Sequence, residues 1–253
     1  MRRFFINQSG ITGRRVSLTG QDAKHMMKVL RLAPGDSILL FDGSGNEYLS
    51  TIENMRHDTV NVVIKETTSS RSESPIQLIA AQAILKDRKM DALVRQLTEL
   101  GVSKWIPFFA ERSVPRPDAD RMAKRLQRWE KIAKESLKQC GRGCLPEIDL
   151  FHTFDHALTY SGECELNLIF HQDAADALEQ RLTGSMPQDM AGKKIFLMFG
   201  PEGGFTADEA DLAVQRGFKA VRIGPRVLRA ETAPVAACAV IQYIFGDMGG
   251  NNS

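Results

Sequence analysis

The sequence predicts an α/β protein in two parts: a small β-rich domain, then a larger domain built on a mainly parallel sheet. Three observations lead there. Strand-like runs joined by turn chemistry crowd into the first 66 residues. Next, Thr67-Thr68-Ser69-Ser70-Arg71-Ser72-Glu73-Ser74-Pro75 is small and polar and ends in proline, which is linker composition. Beyond it, short apolar runs alternate with stretches of helical period, the pattern of βαβ units. The domains are read as residues 1–70 and 75–247.

Taken in order, Asp22–Leu30 reads as a short helix with Met26, Met27, Val29 and Leu30 apolar, and Pro34-Gly35 marks the turn after it. Ser37–Phe41 and Glu47–Ile52 are strands joined by Asp42-Gly43-Ser44-Gly45-Asn46, hairpin chemistry because Gly and Asn accept positive φ. Thr59–Ile64 is a third, β-branched strand. In the larger domain Ile76–Ile84 is a strand. A helix follows over Leu85–Leu100, with Met90, Leu93, Val94 and Leu97 on one face and Gly101 as its stop. Trp105–Phe109 is a strand. Arg121–Cys140 is a helix whose apolar stripe includes Trp129, and its many Lys and Arg residues form a solvated face. Leu166–Phe170 is a strand, and Asp173 can cap a helix carrying Leu178 and Leu182. Ile195–Phe199 is a strand, Thr206-Ala207-Asp208-Glu209 is a capping box, and Gly217 closes the helix it opens. The strand Lys219–Ile223 and a helix over Ala233–Phe245 complete the pattern.

The bulk properties narrow the classes. Of 253 residues, 43% are hydrophobic and 25% charged, and the net charge is +2, so global charge points to no partner. Arg2-Arg3 precedes only three apolar residues before Asn7-Gln8, too few for a secretory core of roughly 7–15. No run approaches the ~20 residues of a membrane span. A cytoplasmic protein with four reduced cysteines is expected, with no membrane association. Cys140-x3-Cys144 before His152-x3-His156 has the ligand order of a zinc finger, but seven residues separate the pairs against the ~12 a finger needs, so no metal is expected.

Two segments carry the functional signal. Ile195–Phe199 runs straight into Gly200-Pro201-Glu202-Gly203-Gly204, and Ala220–Ile223 runs into GPRVLRAETAP over 224–234. In open α/β sheets ligands sit beyond the carboxyl ends of strands, and glycine lets backbone groups approach a ligand closely. One such loop is an ordinary turn; two of them, holding Glu202, Arg229 and Glu231, are site-like. The loops do not match GxGxxG, no GxxxxGK[ST] is present, and cations are few, which favours an adenosine compound over a dinucleotide or polyphosphate.

These residues sit within a series that resembles, nearly end to end, the RsmE family of bacterial rRNA methyltransferases in the SPOUT class. The series comprises His25-Met26-Met27-Lys28-Val29-Leu30-Arg31 with Gly35-Asp36, Phe41-Asp42-Gly43, Lys86–Met90, Thr98-Glu99-Leu100-Gly101-Val102, Gln139-Cys140-Gly141-Arg142 with Pro146-Glu147-Ile148, Gly200–Gly204, and Leu228–Ala233. Lys138 and Gln172 depart from the family pattern, where Glu and Pro are common. The resemblance implies a PUA-like β-barrel joined to a SPOUT-type α/β domain with a C-terminal trefoil knot, a homodimer, and S-adenosylmethionine as cofactor. It implies methylation of N3 of one uridine of 16S rRNA in the small ribosomal subunit.

On that resemblance, Phe170, His171, Phe199, Gly200, Gly203, Gly204, Ile223, Gly224, Val227, Leu228, Thr232 and Ala233 would hold the cofactor. Uracil N3 is a poor nucleophile until its imide proton leaves. Arg229 would stabilise the anion, and Glu231 or Glu202 would take the proton or orient Arg229. Arg2, Arg3, Arg31, Lys86, Arg88, Arg112 and Arg142 are the candidates for RNA contact.

Overall fold

A computed structural model describes residues 1–86, 88–114, 116–178, 182 and 190–249. The chain divides into two compact units, Met1–Glu73 with Leu137–Leu145, and Ser74–Ser136 with Pro146–Ser253.

The first unit is a six-stranded sheet in the order β1-β4-β5-β6-β3-β2. Its strands are β1 (Arg3–Phe5), β2 (Ile11–Thr12), β3 (Arg15–Thr19), β4 (Ser37–Phe41), β5 (Asn46–Arg56) and β6 (Thr59–Ser69). All pairs are antiparallel except β1 with β4. The sequence reading finds β4, β5 and β6 and misses β1–β3, which are five residues or shorter. It also stops β6 too early: the strand runs to Ser69, so Thr67-Thr68-Ser69 pair with β5 rather than forming a linker. The expected helix over Asp22–Leu30 starts two residues earlier, as α1 (Gly20–Lys24), and then widens into a π-helical turn over His25–Val29.

Residues 137–145 complete this unit. Leu145 N donates to Gly43 O at 2.8 Å and Gly45 N to Gly143 O at 3.1 Å, stitching the returning segment to the β4–β5 turn. The Glu73 carboxylate fixes it. One oxygen accepts from the backbone N–H of Gly143 and of Cys144, both at 2.8 Å, and the other from Arg142 Nη2 at 2.9 Å and Nε at 3.2 Å.

The second unit is a parallel sheet in the order β10-β8-β7-β12-β11-β13, with β9 (Glu147–Ile148) paired to β8. Its members are β7 (Gln77–Ala83), β8 (Val102–Phe109), β10 (His152–Thr153), β11 (Leu166–Phe170), β12 (Lys194–Phe199) and β13 (Lys219–Val221). Both faces are buried, which is why β7, β11 and β12 are almost continuously apolar. Alternate residues face opposite layers. Leu78, Leu168, Leu197 and Phe199 pack in one core with residues of α2 (Lys89–Glu99) and α6 (Ala233–Phe245). Ile79, Ile169, Phe196 and Met198 pack in the other with residues of α4 (Phe154–Leu158) and α5 (Ala207–Gln215). The helix α2 begins four residues later than the apolar period suggests, with Arg88 at its N-cap position. In α3 (Ala119–Cys140), Trp129 is buried, stacks on Trp105 at 5.8 Å and donates its indole N–H to Asp91, a core role as expected. The helix expected after Asp173 falls largely outside the described residues.

Near the β8 edge, Asp149 accepts from Tyr160 Oη at 2.6 Å and pairs with Lys104 Nζ at 3.2 Å. Burial pushes its carboxyl up, but the Tyr160 hydroxyl, the Leu150 N–H and Lys104 outweigh that and hold it at about 2 against an ordinary 3.8. A depressed carboxylate stabilises the fold above its unfolded value, and the stabilisation is lost as pH falls through the folded one. Acid should therefore remove about 2 kcal/mol between pH 3.8 and about 2. Asp149→Asn should lose that increment already at neutral pH and flatten the acid limb of a urea-denaturation series; an unchanged acid limb would refute the assignment.

Candidate active site

The register of three strands builds the site. Phe170 pairs with Phe199 across β11–β12 and with Val221 across β11–β13, so all three strands end at one level. The Phe170 and Phe199 rings stack at 4.7 Å beneath that rim. Beyond it opens a cleft of about 250 Å³. Its walls are the two glycine-bearing loops and the start of the segment after β11. Phe170, His171, Phe199, Gly200, Gly203, Gly204, Ile223, Gly224, Val227, Leu228 and Ala233 all line it, as does Glu202. Thr232, Arg229 and Glu231 do not line it, although Ala230 and Ala233 around them do.

The first loop is clamped from several sides. Gln82, fully buried, donates to Gly200 O at 3.0 Å. Arg112 Nη1 donates to Gly203 O at 2.9 Å, and its stem lies so near Gly203 that a Cβ there would sit 3.3 Å from Arg112 Cβ. Glycine at 203 thus lets the clamp close. The capping box that opens α5 has both reciprocal bonds, Thr206 N to Glu209 and Glu209 N to Thr206 Oγ1. The other Glu209 oxygen accepts from Glu111 N at 2.8 Å, tying the loop's end to the segment after β8.

The second loop is built differently. Among the described residues, 223–228 make no backbone hydrogen bonds, although their flanks do, through Arg222 N to Asp176 O and through Thr232 N and Ala233 N to Arg229 O. Gly224 takes φ +71, a conformation other residues rarely adopt, in open space. Free N–H and C=O groups beside stacked phenyl rings can take a ligand with a flat, polar-edged ring. His171 adds to the wall: its backbone N–H is used by Val221 O, and its Nδ1 accepts from Asp173 N, which leaves the proton on Nε2.

Glu202 and Glu231 meet one cation, Lys89, at the start of α2. Its Nζ lies 3.0 Å from Glu202 Oε1 and 3.3 Å from Glu231 Oε2. Glu202 Oε1 also accepts from Lys86 N at 3.1 Å. Burial alone would raise the Glu202 carboxyl; the Lys89 ammonium and nearby backbone N–H groups overcome this and hold it below the usual carboxylate range. The Glu231 contact is one of charge rather than a directed bond, because Glu231 Oε2 is buried with no hydrogen-bond partner of good geometry.

Residues 72–242 match the family model for the RNA methyltransferase domain, and 18–65 match the model for the RNA methyltransferase PUA domain. The ribosomal RNA small subunit methyltransferase E of Bacillus subtilis is 30% identical, with 96% of each chain covered. The chain belongs to the ribosomal RNA small subunit methyltransferase E family. The member of this family from Neisseria gonorrhoeae, solved bound to S-adenosyl methionine, is 33% identical with a TM-score of 0.83, covering 98% of this chain and 99% of that one. A methyltransferase from Legionella pneumophila, solved with bound SAM, is 31% identical with a TM-score of 0.83, covering 97% and 98%.

Within this methyltransferase the seven basic candidates fare unequally. Arg2, Arg31, Lys86 and Arg88 are exposed. Arg31 sits at φ +52 just after the π-helical turn, which turns the chain out. Arg3 is engaged within its own unit: it pairs with Glu47 at 2.8 Å, donates to Arg142 O and lies 4.9 Å over the Phe41 ring. Arg142 is 5% exposed, and its guanidinium clamps Glu73. Arg112 braces the first loop while lining the cleft. Sequence reasoning missed Lys89 and Gln82. Lys89 stands inside the quoted Lys86–Met90 series, but nothing local marks its partners, 113 and 142 residues away. Among the described residues no group of three or more His, Cys, Asp or Glu could hold a metal, and no helix is long and apolar enough to cross a membrane.

Proposed function

We propose that the cleft binds S-adenosylmethionine and that the protein methylates N3 of a uridine in 16S rRNA of the small ribosomal subunit. The observation that carries this reading is the pairing of two unladdered, glycine-bearing loops around stacked Phe170 and Phe199, in a chain of this family whose relatives are solved with that molecule bound. The cofactor supplies an electrophilic methyl group. Phe170, Phe199 and Leu228 give the apolar walls, and the backbone from Ile223 to Leu228 offers donors and acceptors for the base edge. Arg229, exposed beside the cleft, takes the charge that develops on the uracil carbonyls once the imide proton leaves. Of the two carboxylates, Glu202 is engaged by Lys89 and Lys86 N. Glu231 shares Lys89 at the longer distance of 3.3 Å and takes no backbone N–H as Glu202 does, which makes it the better proton acceptor or orienter of Arg229. Arg2, Arg31, Lys86 and Arg88 serve phosphate contact.

The same reading includes a homodimer, supported by exposed Val240, Tyr243 and Ile244 on α6, and a trefoil knot, supported by the full-length family match. An rRNA substrate places the protein in the cytoplasm. The test is incubation with S-adenosylmethionine and small subunits lacking the modification, followed by mass spectrometry of digested rRNA. N3-methyluridine at one site supports the proposal. Cofactor binding without that product removes the substrate assignment, and no cofactor binding removes the reading of the cleft.

A further inference from the structure

One side chain outside both loops of the cleft holds them together. We infer that Lys89 is a positioning residue for methyl transfer: its ammonium, shared by Glu202 and Glu231, fixes the Gly200–Gly204 loop and the Arg229–Glu231 segment in one arrangement. This rests on reading the cleft as the cofactor and substrate site.

The second loop lacks internal ladder bonds over 223–228, so its conformation depends on anchors at its ends. At the β13 end the anchor is backbone, Arg222 N to Asp176 O. At the α6 end Thr232 N and Ala233 N close the turn on Arg229 O, and Glu231, two residues after Arg229, is held in addition across the cleft's flank by Lys89 at 3.3 Å. Lys89 in turn is fixed by Glu202 at 3.0 Å, and Glu202 by Lys86 N at 3.1 Å. The chain Lys86–Glu202–Lys89–Glu231 thus runs from the connection after β7, through the first loop, to the second. The three side chains are 32%, 28% and 27% exposed, so the pairs remain partly open to water. Without Lys89, two neighbouring carboxylates would lose their shared counter-charge, and each would favour swinging toward solvent. An exposed ion pair adds little to global stability. The cost of losing this one therefore falls on loop order, where a misplacement of an ångström can cost about 10²-fold in rate.

The experiment uses the full chain with Lys89→Met, Lys89→Arg, Glu202→Gln and the Lys89→Met/Glu202→Gln double variant. Three quantities are read: S-adenosylmethionine affinity by calorimetry without RNA, turnover on unmodified small subunits at saturating cofactor, and the urea midpoint. Lys89→Met should weaken cofactor binding about tenfold and lower turnover by roughly 10- to 100-fold, with the urea midpoint near wild type. Lys89→Arg should restore most of both. In the double variant the two losses should not add, because they break one chain of contacts. Wild-type cofactor affinity and turnover in Lys89→Met would overturn the inference. So would additive losses, or a change confined to the KM for the ribosomal subunit, which would make Lys89 an RNA contact. If the wild-type chain itself fails to bind S-adenosylmethionine, the cleft reading falls and this inference with it; wild-type binding beside an unaffected Lys89→Met removes this inference alone.

Discussion

Arg229→Ala is expected to lower turnover by about 10²- to 10³-fold while leaving S-adenosylmethionine affinity near wild type, the scale of removing one preorganised donor from a developing anion. The structure makes this a clean substitution. The Arg229 backbone carbonyl closes the turn into α6 by accepting from Thr232 N and Ala233 N, and alanine keeps that carbonyl. The guanidinium is exposed and makes no ion pair or hydrogen bond among the described residues, so truncation strands no buried partner. Arg229→Lys should fall between the two, since an ammonium keeps the charge but loses the planar fork that can meet uracil oxygens side by side. Single-turnover rates at saturating cofactor decide the matter: turnover close to wild type in Arg229→Ala would remove Arg229 from the reaction.

Arg142→Met should cost about 3 kcal/mol or more of stability, the scale of leaving one partner of a buried pair without the other. The Arg142 side chain is 6% exposed and that of Glu73 23%, and two guanidinium nitrogens reach one Glu73 oxygen. A urea titration should show a lower midpoint with the slope preserved. RNA affinity of the protein that remains folded should be unchanged. The opposite result, an intact midpoint with weakened RNA binding, would make Arg142 the RNA contact that its sequence position suggests.

The comparison of these two arginines shows where a linear reading holds. Arg229 belongs to the segment that follows β13 and Gly224, and the cleft walled by that segment is legible because the rule that ligands gather at the carboxyl ends of parallel strands is a rule about local order. Strand Leu166–Phe170 and helix Ala233–Phe245 are legible to the residue for the same reason: their periods and stops are written in neighbouring positions. The Thr206–Glu209 box is likewise complete within four residues. Arg142 belongs to a quoted motif as well, but its meaning is set by Glu73, 69 residues earlier. Lys89, Gln82 and Arg112 act on residues 91 or more positions away. Propensity has no access to such pairs. Nor does it register β1 and β2, strands of three and two residues held by their neighbours rather than by composition.

The return of residues 137–145 to the first unit has a consequence for birth of the protein on the ribosome. A nascent chain that has emerged only to Glu73 can pair β1 through β6, but the Glu73 carboxylate still faces water, and the β4–β5 turn lacks the bonds from Gly45 N and to Gly43 O. Its partners arrive 69 residues later, a delay of roughly 3–14 s at translation rates of ~5–20 residues per second. During that interval the amino-terminal sheet is a provisional structure, and a fragment ending at Glu73 should remain one: open to proteases at the Asp42–Asn46 turn until a peptide spanning 137–145 is supplied.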